Sequence, residues 1–367
     1  MAIPEFDPKE LTIEGRVPSI KEGPGIPVYK FPVSGKEGIL SVYRKEPIWQ
    51  VMLGFGAESI NFVPAINPDN IARAFTFDKN SDPTNCVKGG KDIFGIEWEY
   101  VESAGGSMVR PGKPFIEDAN EIAEKVRWPD IDSWDWEGYQ KSNEGFLSDK
   151  KLNYCTFMNG WYERLISFMD FEGAVVAMID EDQQDAVKAF FDQLSDLYIT
   201  ILDKYLTYFP EIDLICMHDD WGSQKDTFFS PATAEEMIVP YMKRCTDFIH
   251  SKGRFCDLHS CGQNMKQLSN IIKAGWDSWN PQAMNDTHKM YEDYGDQIIL
   301  GVMPEVFDPQ NTSEEEQRAL AKAYAQKFCN PDKPSLLNQN ALFASDILTD
   351  VYREELYKQS RINYQKK

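Results

Sequence analysis

The chain has 367 residues, 42% of them hydrophobic, which is ample for a large core. With 38 basic against 59 acidic residues its formal net charge is −21, which argues against nucleic acid and anionic membranes as partners. No charged-then-apolar leader opens the chain and no apolar run reaches the roughly 18 residues of a membrane span. Seven scattered cysteines suggest no disulfide framework, so the chain reads as a soluble protein of a reducing cytoplasm.

Residues 1–36 are rich in Pro, Gly and charge and read as an extended N-terminal arm. The pattern then predicts a helix over Gly35–Glu46, ended by Pro47, and a buried strand over Ile48–Leu53. Residues 54–115 are glycine-rich and read as a long elaboration over one end of the domain, with a strand over Gly95–Val101. Phe94, Trp98 and Tyr100 there suit either a pocket wall or the core. A rhythm of strands and helices follows. Helices are expected over Asp118–Val126, Asp185–Phe209, Ser230–His250, Asn264–Ala274, His288–Tyr294, Ser313–Phe328 and Leu348–Tyr364. Strands are expected over Tyr154–Met158, Asp213–Met217, Phe255–Leu258, Asp277–Trp279, Ile298–Val302 and Ser335–Leu337. Such alternation means a parallel sheet, and its count favours one α/β (β/α)8 TIM barrel over residues 37–367, with long loops at one mouth. No G-x-G-x-x-G follows an early strand, which counts against a dinucleotide fold.

In a barrel the functional residues follow the strand ends. Here those ends read Asn159-Gly160-Trp161-Tyr162, His218-Asp219-Asp220-Trp221, His259-Ser260-Cys261-Gly262, Trp279-Asn280-Pro281-Gln282, Pro304-Glu305 and Asn338-Gln339-Asn340. His259 and Cys261 lie one residue apart, so in extended backbone they share a face. An imidazole and a thiolate together suit Zn²⁺, although an isolated H-x-C pair is common by chance. Gly262 lets the chain turn before the next helix. His218 and Asp220 are expected to face the pocket, while Asp219 caps the following turn. His250 and His288 read as solvated helix residues. Cys155, Cys216, Cys245 and Cys256 read as core.

The order His218-Asp-Asp-Trp-Gly-Ser-Gln, Leu258-His-Ser-Cys-Gly, Trp279-Asn-Pro-Gln resembles the uroporphyrinogen decarboxylase superfamily. Within it the chain is similar to the corrinoid-dependent methyltransferases, above all the methyltransferase I components of O-demethylase systems. The resemblance covers about residues 37–365 and implies a (β/α)8 barrel that meets a separate corrinoid protein. It implies transfer of a methyl group from a small methylated donor, best a methoxylated aromatic, to Co(I). The stretch Arg44–Met52 lacks the arginine cluster of the decarboxylases proper, which argues against porphyrinogen decarboxylation. Thiol-activating relatives carry a second zinc-binding cysteine after the last strand, where this chain has Leu337-Asn-Gln-Asn-Ala341.

On this reading the catalytic residues are His218, Asp220 and His259, and the metal ligands His259, Cys261 and Glu305, the last as third ligand. Trp161, Tyr162 and Trp221 would stack the substrate ring, with Asn280, Gln282 and Gln339 as polar anchors. Activation of the leaving group falls either to the metal or to a proton from His218/Asp220. The alternatives are a methylcobamide-dependent methyltransferase acting on a thiol or tetrahydrofolate, a decarboxylase of a simpler acid, and a non-catalytic binding barrel. The arm and the acidic barrel would suit a homodimer.

Overall fold

The structure, a computed structural model, describes residues 5–18, 25–53, 56–81, 88–102, 106–341 and 348–365. Gly54 and Gly105 of the glycine-rich region lie outside them. The chain begins with β1 (Ile13–Val17), β2 (Ile26–Tyr29), α1 (Gly35–Tyr43), β3 (Ser59–Phe62) and α2 (Pro68–Ala72). Next come β4 (Gly90–Lys91), β5 (Glu97–Val101), β6 (Gly106–Val109), α3 (Ile122–Lys125) and α4 (Trp136–Ser142). The alternating part comprises β7 (Leu152–Phe157), α5 (Trp161–Ala177), α6 (Gln184–Tyr208), β8 (Leu214–His218), α7 (Pro231–Met237), α8 (Val239–Ser251) and β9 (Phe255–His259). It ends with α9 (Leu268–Lys273), β10 (Ser278–Trp279), α10 (Thr287–Tyr294), β11 (Ile299–Val302), α11 (Glu314–Phe328), β12 (Leu336–Leu337) and α12 (Asp350–Tyr364). Two compact units result: Met1–Ile60 with Ser148–Asn153 and Asp277–Lys367, and Asn61–Leu147 with Tyr154–Trp276.

In the second unit, β7, β8 and β9 pair in parallel, with Tyr154 beside Leu214 and His218 directly beside His259. Their residues are almost all buried, as expected of strands covered on both faces. Between β7 and β8, α6 places Val187, Phe190, Phe191, Leu194, Tyr198, Ile201 and Tyr205 on one buried stripe. A single helix over Ser230–His250 is instead two, parted at Ile238. Pro240 has no N–H to continue the intrahelical ladder. The sequence reading also missed α5, which starts at Trp161 and is interrupted at Asp170 (φ 59°, ψ 175°), whose carboxylate accepts the Gly112 N–H at 2.6 Å. Polar side chains in its first turn and a glycine at 160 hid the helical period.

In the first unit, β10–β11 and β11–β12 pair in parallel. The expected strand over Ile48–Leu53 is reduced to one bridge between Met52 and Leu337. The Gln50 N–H goes to Ser360 Oγ at 2.9 Å, so the ladder cannot form at that residue. The N-terminal arm is not merely extended. A short turn over Pro8–Leu11 leads into the antiparallel hairpin β1–β2.

Glu10 of that turn is buried against Arg361 of α12, with Oε2 accepting from Arg361 Nε at 2.7 Å and from Tyr357 at 2.7 Å. Burial alone would raise the Glu10 pKa, but these hydrogen bonds outweigh it and hold the carboxyl below its ordinary value. A carboxylate depressed in the native state stabilises above its unfolded pKa, and that stability is lost as pH falls through the native value. Glu10→Gln is expected to cost about 1.5–3 kcal/mol at neutral pH. Urea titrations should also show a shallower loss of stability in acid than wild type.

Candidate active site

The site grows from the register of β8 and β9. His218 and His259 are direct partners in a parallel ladder, where strands lie about 4.8 Å apart. Their rings therefore stack, with centroids 4.4 Å apart and planes at 14°. Two residues further on, Asp220 and Cys261 return to the same face as their histidines. H-x-D on one strand and H-x-C on its neighbour thus converge. His259 Nε2 lies 3.3 Å from Cys261 Sγ. His218 Nε2 lies 3.8 Å from Asp220 Oδ1, which also accepts the Cys261 N–H at 2.6 Å. Donor atoms of His218, Asp220 and His259 all lie within 4.8 Å of one another.

Asp219, between the two, points the other way. Its carboxylate accepts the backbone N–H groups of Tyr162 and Glu163 at 3.3 and 2.9 Å, and Trp221 Nε1 at 2.9 Å. It thereby serves the orphan donors of the first turn of α5. Gly160 allows this closeness, since a Cβ there would come within 2.4 Å of the Asp219 Cβ. Gly262 (φ +94°) makes the turn anticipated for it, and a side chain there would meet the Gly222 carbonyl at 2.1 Å.

Two residues outside the sequence-based set complete the arrangement. Glu163 Oε2 meets His218 Nδ1 at 2.7 Å, and its Oε1 takes Arg73 Nη1 at 2.7 Å. Arg73 also donates to Asn159 Oδ1 at 3.2 Å and lies over the Trp98 ring, 5.1 Å from its centroid. Glu163 directly follows the strand-end run Asn159–Tyr162, so the rule that barrel chemistry follows strand ends could have found it. Arg73 reaches Glu163 across 90 residues of chain, and no local pattern signals it.

The charges are ordered. Burial would raise Glu163, but Arg73 and His218 outweigh it and hold the carboxyl at about 2. Burial would lower His218, yet Glu163 and Asp220 raise it above its ordinary value. Its stacked neighbour His259 is pushed down to about 4 by burial and by the His218 charge. Burial, reinforced by Asp220, pushes the Cys261 thiol up. Burial and Glu163 raise Asp219 to about 7. One imidazole is thus poised to hold a proton and the other to offer a lone pair.

Nitrogen, carboxylate and thiol within a few ångströms form a donor set that suits zinc. A carboxylate on the far nitrogen of His218 fixes its tautomer, as carboxylates behind metal-site histidines do. Glu305, expected as third ligand, is an exposed residue after β11 in the first unit. Within the second unit Asp220 stands in reach of His259 instead. Trp161, Tyr162 and Trp221 are fully buried. Trp161 donates to Ser195 Oγ at 3.0 Å and Tyr162 packs among Phe171, Phe228 and Phe229, so their rings serve the core of the unit. Asn280, Gln282 and Gln339 belong to the first unit. There Asn280 is buried, its Oδ1 accepts the Gln339 N–H at 3.4 Å and its Nδ2 has no partner among the described residues.

No family model matches the chain, and no curated protein matches it. Among solved structures it is similar to a methyltransferase from Methanosarcina mazei, with a TM-score of 0.51 at 14% identity. That alignment covers 91% of this chain and 99% of the other, so the two share an α/β fold of the TIM-barrel kind. A D-psicose 3-epimerase aligns with a TM-score of 0.28 at 12% identity, over 67% of this chain and 85% of its own. An α-galactosidase from Saccharomyces cerevisiae aligns with 0.31 at 12% identity, over 88% and 59%.

Proposed function

We propose that the protein is a methyltransferase that moves a methyl group from a small methylated donor, a methoxylated aromatic, to the Co(I) corrinoid of a partner protein. One observation carries the reading: H-x-D and H-x-C leave the ends of adjacent strands whose histidines are in register, with Glu163 behind His218. The likeness to a methyltransferase supports the same choice. Asp220, His259 and Cys261 would hold zinc, and His218 would hold a proton. Zinc so bound supplies a Lewis acid that draws charge from a departing heteroatom.

The chain's own task follows from the chemistry. Co(I) is already a strong nucleophile, so no residue need supply one. The difficulty is the leaving group. As the methyl–oxygen bond breaks, its electron pair stays on oxygen, and cobalt's pair forms the new bond to carbon, giving methyl-Co(III). His218 Nε2 protonates the departing aryl oxide. Glu163, held ionised by Arg73, stabilises the imidazolium until that transfer and keeps the ring aimed through Nδ1.

The test is an anaerobic titration of the purified chain with a Co(I)-loaded corrinoid protein and a panel of methyl donors. Methyl-Co(III) should appear with an aromatic methyl ether, together with the phenol. Silence with every donor, but demethylation of methyl-Co(III) by a thiol or tetrahydrofolate, would overturn the direction proposed.

A further inference from the structure

We infer that the first unit carries a second binding site, for a small α-amino-acid zwitterion of about the size of glycine. The site stands on residues of that unit alone and does not rest on the methyl-transfer reading. It is a cavity of about 60 Å³. At roughly 10–15 Å³ per water position, that is room for about four to six waters, or a molecule of a similar number of non-hydrogen atoms.

The lining is of two kinds. Tyr29, Phe31, Trp49 and Tyr357 form a continuous aromatic wall. Phe31 stacks on Trp49 at 4.8 Å, and Tyr357 lies 5.5, 5.7 and 6.0 Å from Tyr29, Phe31 and Trp49. Set into this wall are Glu58 and Arg353. Burial pushes the Glu58 carboxyl up and the Arg353 guanidinium down, the charge of each only partly offsetting this in the other, and no ion pair joins them among the described residues. Arg353 spends Nε on the Leu348 carbonyl at 2.8 Å, and no hydrogen bond holds its two Nη groups among the described residues. Glu58 Oε1 takes a long contact, 3.4 Å, from Trp49 Nε1.

A buried carboxyl and a guanidinium around one small cavity, not paired with each other, are costly to keep unless something brackets them. A zwitterion does. Its carboxylate matches the guanidinium fork in bidentate fashion. Its ammonium matches Glu58 and gains from the surrounding ring faces. An anion alone or a cation alone satisfies only half of the lining.

Calorimetric titration of the full chain with glycine, acetate and methylammonium tests the assignment. Glycine should bind, with acetate and methylammonium each at least tenfold weaker, and leucine should not bind. Arg353→Met and Glu58→Gln should each weaken glycine at least tenfold. Absence of glycine binding, acetate binding as tightly as glycine, or unchanged affinity in both variants would each overturn it. The wild-type comparison of the three ligands decides the matter even if a variant fails to fold.

Discussion

Replacing His259 with alanine is expected to lower zinc affinity at least a hundredfold and to remove methyl transfer with it. Replacing His218 with glutamine should separate the two. In the arrangement proposed, His259 offers a lone pair beside Cys261 Sγ, 3.3 Å away, whereas His218 is tied to Glu163 and holds a proton. His218→Gln should therefore keep zinc within about tenfold of wild type while transfer falls by roughly 10²–10⁴, the usual worth of a positioned general acid. Metal analysis after dialysis against graded zinc, run beside single-turnover transfer, reads both quantities. Equal zinc loss in the two variants would make His218 a ligand and remove its assignment as acid.

The second large effect lies deeper. Arg164, next to Glu163 in the first turn of α5, is fully buried between Asp69 and Asp92. Nη1 meets Asp92 at 2.7 Å, Nη2 binds Asp69, and the guanidinium lies over the Phe94 ring at 4.9 Å. One positive charge faces two carboxylates. Burial accordingly pushes Asp69 up despite the pull of Arg164, and the Asp92 charge adds to the rise. Arg164→Met removes the sole cation of the triad and leaves both carboxyl groups desolvated. The expected loss is about 3–5 kcal/mol, read from urea unfolding midpoints. Adding Asp69→Asn and Asp92→Asn should restore a good part of it, because the cost is that of unpaired charge.

The parts of this molecule that could be read from sequence are those set by short periods. Strand alternation placed His259 with Cys261 and His218 with Asp220, and turned Asp219 away from both pairs, because a period of two leaves no other choice. The 3.6-residue stripe along α6 was equally plain. That Asp219 caps the first turn of α5, and not the turn after its own strand, was hidden, since α5 itself was missed. What stayed hidden depends on distance. Stacking of the two histidines requires the register of β8 against β9, 41 residues apart, which no local signal fixes. Arg73 reaches the site from just past the end of the short helix α2 in the glycine-rich region. The aromatic residues expected at the substrate, Trp161, Tyr162 and Trp221, carry the same composition signal whether they line a pocket or fill a core. Their zero exposure answers what composition could not.

X-ray absorption at the zinc edge on the metal-loaded chain tests the central claim most directly, that Asp220, His259 and Cys261 form one metal centre. The account predicts one zinc per chain with a single sulfur neighbour at about 2.3 Å and nitrogen and oxygen neighbours at about 2.0–2.2 Å. The sulfur contribution should vanish in Cys261→Ser. A chain that takes up no zinc, or one whose zinc has only oxygen neighbours and an unchanged spectrum in Cys261→Ser, would contradict it.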